Sequence, residues 1–133
     1  MSHTVHVERV YDEVRRREGS RGSGPPGPRF LVDRVWPRGV RKDTLEGVEW
    51  VREAAPSSEL RAWFGHDPRR FEEFAERYRA ELDARPEGLE PLLAAGREGP
   101  FTLLYAAKDT EHNHAVVLCA YLEEALAGGN GGN

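Results

Sequence analysis

The residues Phe101–Ala107 (FTLLYAA) constrain the fold more than any other segment, because they form an almost uninterrupted apolar run. A strand with one face in water alternates polar and apolar side chains, whereas this run does not. It therefore predicts a strand covered on both faces, as in a parallel or mixed sheet under helices. A helix is predicted almost directly after it, from about Thr110 to Ala127, with Asp109 or Thr110 as its N-cap.

The rest of the chain supplies strands and helices in an order typical of an α/β fold. Two strands are predicted in its first third, at Val5–Val10 and at Phe30–Val32 with Val35. Three helices are predicted before the last strand: from Ser57 or Ser58 to Gly65, after Asp67-Pro68, and over Leu89–Ala95. We therefore expect an α/β fold, a single compact domain over residues 1–127 with a small, mainly parallel or mixed sheet of about three to four strands covered by helices.

The helix after Asp67 has the clearest pattern. Asp67 is a good N-cap residue, and Pro68 occupies the first helical position, where its missing N–H costs nothing. An apolar stripe follows at helical spacing: Phe71, Phe74, Ala75, Tyr78 and Leu82. This pattern predicts a helix with one face on the core.

Two segments are predicted to be flexible. Residues 18–29 (EGSRGSGPPGPR) are rich in Gly, Ser and Pro and cannot hold a regular ladder of hydrogen bonds, so we predict a flexible loop inside the domain. Residues 128–133 (GGNGGN) are predicted to be a disordered tail.

Composition and motifs exclude several functional classes. The chain has 19 Lys and Arg against 23 Asp and Glu, a formal net charge of −4, which argues against general nucleic-acid binding. Its single cysteine rules out an intramolecular disulfide framework and a multi-cysteine zinc site. The longest apolar stretch, Ala115–Leu122, is far shorter than a membrane span, and the N-terminus lacks the regions of a signal peptide, so we expect a cytoplasmic protein. Nucleotide-binding, nucleophile-elbow, HExxH and CxxC motifs are absent, and no cofactor is identified.

Three segments are richer in polar and aromatic side chains than packing requires. They are Asp33–Gly39 (DRVWPRG), Trp63–Pro68 (WFGHDP) and Lys108–His114 (KDTEHNH). The first and third follow predicted strands, and ligands of open α/β sheets bind outside the carboxyl ends of the strands. If those two strands are parallel, their polar segments meet at one edge of the sheet, beside the N-terminus of the last helix, which favours anions.

This convergence favours a small enzyme that acts on an anionic ligand of phosphorylated or nucleotide-like type. The candidate ligand-binding residues are Arg34, Trp36, Arg38, Lys108 and Asn113. The candidate catalytic residues are His66 or His112 for proton transfer, with Asp33 or Asp109 to orient them.

On the predicted last helix the two histidines of the third segment face different ways. His112 shares the core-facing stripe of Val116 and Cys119, whereas His114 lies about 200° round the helix. We therefore expect a functional role for His112 and Asn113 and a packing role for His114. Cys119 is expected to be an inert core thiol.

Two other functional classes are compatible with the same residues. His66, His112 or His114, with Asp67 or Asp109 as an oxygen ligand, is a donor set suited to zinc, iron or manganese. His112 and His114 cannot chelate one metal from a regular helix, although an extended segment brings both to one face. The third class is a non-catalytic protein-interaction or regulatory module, which would use the charged helix face and the flexible loop.

Most of these residues also have a purely structural interpretation. Asp33 and Arg34 are able to pair with each other at the strand end, and Lys108 and Asp109 to form a surface ion pair of little energetic value. For Trp36, a packing role in the core or over it is favoured over a contact with a ligand. His66 is equally compatible with a turn residue and with a general acid or base.

Taken together, these segments resemble the YeaO-like branch of the domain of unknown function 488 family. The resemblance rests on Glu8–Tyr11, Leu31–Gly39 (LVDRVWPRG), Ala55–Pro56, Glu59–Pro68 (ELRAWFGHDP) and Thr102–Ala115 (TLLYAAKDTEHNHA). It spans the chain from about Val5 to Leu126 and implies a compact α/β domain, without implying an activity. The chain departs from the family's pattern at Val35, usually leucine, at Lys108, usually arginine, and in a longer Gly/Pro insertion at 19–28. The lysine lacks the bidentate geometry of arginine, which weakens an anion clamp there.

Overall fold

The structure, a computed structural model, describes residues 4–19 and 27–131 and contains a four-stranded sheet whose strands all run parallel. The strands are β1 (Val5–Arg9), β2 (Arg29–Leu31), β3 (Glu49–Trp50) and β4 (Phe101–Tyr105), and their spatial order is β1–β4–β2–β3. The predicted α/β class with a small, mainly parallel sheet is confirmed.

Five α-helices accompany the sheet in the described part of the chain. They are α1 (Val10–Gly19), α2 (Ser58–Phe64), α3 (Phe71–Ala84), α4 (Glu90–Glu98) and α5 (His114–Gly131). Single 3₁₀ turns lie at Asp43–Leu45, Arg52–Ala54, Pro68–Arg70 and Pro86–Leu89. Within residues 4–19 and 27–131, no helix combines the length and the apolar character that a bilayer crossing requires.

The caps of α2 lie where the sequence predicts them. The Ser57 hydroxyl accepts a hydrogen bond from the Leu60 N–H at the start of the helix. Gly65 ends the helix in the left-handed conformation, with φ at 56°. The predicted Asp67 cap is also present, since its carboxylate accepts from the Arg69 N–H, but one 3₁₀ turn separates it from α3.

β4 occupies the middle of the sheet, and all five of its residues are buried. Leu103 and Tyr105 pack into the larger core, which α2 to α5 cover, whereas Leu104 packs into a smaller core against α1. The continuous apolar pattern of this strand therefore reflects cover on both faces, as predicted.

The chain leaves the two neighbouring strands β4 and β2 toward opposite faces of the sheet. After β4 it enters α5, whose Leu118 and Leu122 belong to the larger core. After β2 it runs to the Asp43–Leu45 turn, where Leu45 belongs to the smaller core. This divergence opens a crevice at the carboxyl ends of β2 and β4, which is where open α/β sheets bind ligands.

A buried carboxylate joins α1 to the sheet. Glu13 is 4% exposed and contacts Arg16, Arg17 and Arg29, with 2.7 Å between Arg17 Nε and Glu13 Oε2. Arg29 lies on β2, and Arg16 also pairs with Glu8 on β1. Burial by itself raises the pKa of the Glu13 carboxyl, but hydrogen bonds from Arg17 and Arg29 outweigh it, so the net pKa is below its usual value.

Three elements differ from the sequence prediction. α1 was not predicted, because its only apolar residues are Val10, Tyr11 and Val14, a stripe too narrow to produce a helical signal. β3 was not predicted either, because two residues cannot show a periodicity. Of the predicted loop 18–29, residues 18–19 end α1, residue 29 begins β2, and residues 20–26 lie outside the described residues.

The last helix also has different ends. It begins at His114 instead of about Thr110 and continues to Gly131 instead of Ala127. The tail predicted from residue 128 therefore begins as helical backbone, and residues 132–133 lie outside the described residues.

Candidate functional site

A half-open cavity of about 430 Å³ lies at the carboxyl ends of β2 and β4, on the face of the larger core. Its polar lining residues are Asp33, Arg34, Ser58, Arg61, His66, Asn113 and His114. Its apolar lining residues are Val35, Pro56, Ala62, Phe64, Phe74, Ala106 and Ala107. Each of the three polar segments of the sequence thus contributes residues to one cavity.

The floor of the cavity is held in place from both sides. Asp33 Oδ2 accepts a hydrogen bond of 3.1 Å from the Ala106 N–H, which ties the end of β2 to the end of β4. Arg9, at the end of β1, donates from Nε to the Ala107 carbonyl at 3.0 Å. The segment after β4 is therefore fixed before any ligand arrives.

Asp33 and His114 form a close pair in the lining. His114 Nε2 donates to the Val32 carbonyl at 3.0 Å and also lies 3.2 Å from Asp33 Oδ1. Asp33 Oδ1 is buried and accepts no hydrogen bond from the described residues. His114, for which helical spacing predicts packing, thus adds polar contacts with the segment directly after β2 to its edge-on packing against Tyr78.

Two guanidinium groups supply the positive charge of the cavity. Arg34 donates from Nε to the Pro56 carbonyl at 3.0 Å, which leaves both of its terminal nitrogens unbonded within the described chain. Arg61, on the exposed side of α2, has no ion-pair partner among the described residues. Asp33 is the single acidic residue in the lining, so the cavity is locally positive in a chain whose net charge is −4.

His66 stands in the turn between α2 and α3. Its backbone is left-handed, with φ at 59°, and its side chain is exposed. The imidazole lies 6.1 Å from the Phe64 ring, and it is the one sequence-predicted proton-transfer histidine that lines the cavity.

His112 and Asp109 pair with each other outside the cavity lining. Asp109 Oδ1 accepts from the N–H groups of Glu111 and His112, both at 2.9 Å, and Oδ2 lies 3.0 Å from His112 Nδ1. The backbone donors, with the imidazole, lower the pKa of the Asp109 carboxyl. The His112 ring packs edge-on against Phe71, with ring centres 5.2 Å apart.

The expectation that His112 begins the core-facing stripe of the last helix is wrong, because His112 precedes that helix. Asp109 captures two backbone N–H groups in a turn, which competes with helix formation. Asn113 is the actual N-cap: its Oδ1 accepts from the Val116 N–H at 3.0 Å, while its Nδ2 donates to the Asp109 carbonyl. Asn113 therefore lines the cavity as a helix cap whose amide is already engaged.

Trp36, Arg38 and Lys108 lie outside the cavity lining. Trp36 packs edge-on against Trp50 in the smaller core and donates to the Val40 carbonyl. The Arg38 side chain is exposed, and its carbonyl accepts from the Tyr11 hydroxyl of α1 at 2.9 Å. Arg38 and His112 thus contact elements on opposite faces of the sheet, so one small ligand does not bridge them.

The described residues contain no cluster of three or more His, Cys, Asp or Glu side chains that could hold a metal ion. Two of the three candidate histidines, His66 and His114, line the same cavity, but His114 already bonds to a carbonyl through Nε2. The third, His112, pairs with Asp109. The metal alternative therefore gains no support from this geometry.

Sequence reasoning did not single out Ser58 and Arg61. Both lie on α2 three residues apart, so they share a helix face, and Phe64 continues the same spacing into the cavity. That spacing is the signal that could have identified them.

Comparison with known proteins places the chain in a family. The family model DUF488-N3i, described as "Inactive DUF488-N3 subclade", matches residues 4–133. The chain belongs to this family. It is also 39% identical over 118 residues to the uncharacterized protein YeaO of Escherichia coli, a match that covers 89% of this chain and 96% of YeaO.

Mycobacterial relatives of this DUF488 chain are equally similar. The uncharacterized proteins Mb3100c of Mycobacterium bovis and Rv3073c of Mycobacterium tuberculosis are each 39% identical over 118 residues, covering 89% of this chain and 92% of theirs. No solved structure gives a significant match. The sequence resemblance to the YeaO-like branch is confirmed, and the names of these relatives state no activity.

Proposed function

We propose that this DUF488 protein binds a small anionic ligand in the cavity at the ends of β2 and β4, and that it works by binding rather than by catalysis. One observation carries the proposal: Arg34 and Arg61 line a cavity at the crevice of the sheet, and neither has a carboxylate partner among the described residues. Guanidinium groups in such a position offer paired donors to carboxylates and phosphates.

The dimensions of the cavity support a metabolite-sized ligand. About 430 Å³ falls within the range of small-molecule sites, which are mostly apolar with a few placed polar groups. Phe64 and Phe74 stack with ring centres 4.3 Å apart and supply an apolar wall. A ligand with an anionic end and an apolar body matches both parts of the lining.

Two observations favour binding over catalysis. The family is described as an inactive subclade. In addition, the pair His112–Asp109, one of the expected proton-transfer pairs, lies outside the lining, and His66 has no carboxylate partner in the described chain.

The test measures the binding of a panel of anions to the whole protein by differential scanning fluorimetry and calorimetry. The panel contains inorganic phosphate, phosphate monoesters and dicarboxylates. We expect Arg61→Ala to weaken binding at least about tenfold, the size of a lost charged hydrogen bond. Arg38→Ala is the matched control, because Arg38 is also exposed but lies outside the cavity. Equal affinities in the wild type and Arg61→Ala would overturn the proposal.

Catalysis is a second candidate, favoured by one observation. Asp33 Oδ1 is buried beside His114 without a hydrogen-bond donor, an arrangement in which the carboxylate holds the orientation of the imidazole. The test takes each phosphate monoester that shifts the melting temperature and measures its turnover by ³¹P NMR. Turnover that is lost in His114→Gln would replace the binding proposal with this one.

A further inference from the structure

His66 is the only non-glycine residue with a positive φ among residues 4–19 and 27–131. The left-handed region brings Cβ close to the backbone, so it costs free energy for every residue except glycine. Histidine tolerates it better than most residues, but glycine has no penalty there. The preceding residue, Gly65, adopts the same conformation without that cost.

The imidazole makes no polar interaction with the described residues that would offset this cost in free energy. Its one ring contact with another aromatic side chain of the described residues is the tilted one with Phe64, at 6.1 Å between ring centres, and it has no hydrogen bond or ion pair with the described residues. The neighbouring Asp67 carboxylate is engaged by Arg69. His66 is nevertheless exposed at the cavity and lines it. Strained residues of this kind are held by the surrounding structure and cluster at active sites and ligand-binding sites.

We propose that His66 is a specificity-determining residue that donates to the anionic group of the ligand, and that this group is a phosphoryl group. The inference rests on the proposed function and names its ligand class. The lining carries the free nitrogens of Arg34, the guanidinium of Arg61, the Ser58 hydroxyl and the His66 ring. A carboxylate has two oxygens for these donors, whereas a phosphate monoester has three terminal oxygens and a charge between −1.5 and −2 at about pH 7.

The rest of the ligand is an organic body. The apolar wall of Phe64, Phe74 and Pro56 lies in the same cavity as the donors, so inorganic phosphate alone leaves this wall unfilled. The inferred ligand class is therefore a phosphate monoester of a small organic alcohol.

The experiment compares phenyl phosphate with benzoate, because the two probes share an aromatic ring and differ in the anionic group. Affinities are measured by calorimetry for the wild type and for His66→Gly, His66→Asn, Arg61→Ala and His112→Ala. We expect the wild type to bind phenyl phosphate at least about tenfold more tightly than benzoate. His66→Gly should lose at least about tenfold for phenyl phosphate, while His112→Ala, outside the lining, binds as the wild type does.

The melting temperature without ligand provides a second readout. His66→Gly relieves the backbone strain, so it should melt about 3 °C above the wild type, with His66→Asn between the two. If His66→Gly melts at a higher temperature and binds phenyl phosphate more weakly than the wild type, His66 serves ligand binding and not stability.

The outcomes separate the two proposals. If Arg61→Ala weakens binding and His66→Gly does not, the role of His66 is wrong and the anion site stands. If benzoate binds as tightly as phenyl phosphate, the phosphoryl assignment is wrong. If His66→Gly melts below the wild type, the imidazole is structural. If the wild type binds neither probe, nor any other anion of the panel, the proposed function fails and this inference fails with it.

Discussion

Asp33 and Ala106 join the ends of two parallel strands, because Asp33 Oδ2 accepts a 3.1 Å hydrogen bond from the Ala106 N–H. The same carboxylate lies 3.2 Å from His114 through its other oxygen. One side chain thus connects the end of β2, the segment after β4 and the first residue of α5.

Replacement of Asp33 should affect stability and ligand binding in opposite directions. Asp33→Ala leaves the Ala106 N–H without its acceptor, so we expect the free energy of unfolding to fall by about 1 to 3 kcal/mol in urea denaturation. Asp33→Asn keeps an oxygen acceptor and should cost less.

Asp33→Asn also removes the one negative charge of the cavity lining. We therefore expect phenyl phosphate to bind about two- to tenfold more tightly, as measured by calorimetry. Weaker binding in this variant would mean that the carboxylate contacts the ligand directly.

Glu13→Gln should destabilise the protein at neutral pH. The substitution removes a buried charge that faces Arg16, Arg17 and Arg29, and we expect a loss of about 2 kcal/mol in urea denaturation. Glu18→Gln is the matched control, since Glu18 is an exposed residue of the same helix and makes no ion pair with any residue of 4–19 or 27–131. Equal losses in the two variants would contradict a special role for the buried carboxylate.

The same variant should change the pH dependence of stability. Because the pKa of Glu13 is lower in the folded than in the unfolded state, its stabilisation is present above the unfolded value. It is lost as the pH falls through the folded value. A series of urea midpoints from about pH 7 to pH 3 should therefore fall less steeply in Glu13→Gln than in the wild type.

Asn113→Ala should show which residue caps α5. It removes the acceptor of the Val116 N–H and the donor to the Asp109 carbonyl, so we expect a loss of about 1 to 2 kcal/mol. Thr110→Ala, at a position that the sequence offers as the cap, should change stability by less than about 0.5 kcal/mol. A larger loss in Thr110→Ala would place the start of the helix earlier.

Cys119 should be unreactive in the native protein. Burial, with a smaller effect of the Glu123 charge, raises the pKa of its thiol to about 11. At pH 8 only a small fraction is thiolate, and we expect alkylation by iodoacetamide at least about 100-fold slower than in the urea-unfolded chain. Similar rates in both states would show that the thiol is accessible and ionised.

The fold was predictable where hydrophobic patterning is unambiguous. The run Phe101–Ala107 indicates a strand buried on both faces, and β4 is that strand. Ser57 and Gly65 are typical helix caps, and α2 lies between them. α1 was not predictable in this way, because its stability comes from the contacts of Glu13 with three arginines and not from a broad apolar stripe.

Strand direction made part of the site predictable, and His66, which the polar segment before α3 indicated, also lines the cavity. Asp33, Arg34 and Asn113 follow parallel strands and line the cavity. The path of the chain through Pro37-Arg38-Gly39 depends on packing against α1, and the periodicity of the sequence does not indicate that packing. Arg38 therefore lies on the α1 face of the sheet, away from the cavity. The start of α5 was ambiguous because Asp109, Thr110 and Asn113 are all good capping residues.

The spatial order of the strands has a consequence for biosynthesis. Among residues 4–19 and 27–131, β1 pairs only with β4, and β4 is also a partner of β2, although the other three strands and helices α1 to α4 lie before β4 in sequence. A nascent chain still lacking residue 105 has no central strand on which to assemble its sheet. The amino-terminal strand β1 therefore stays unpaired during synthesis at least until β4 has been made and has left the ribosome.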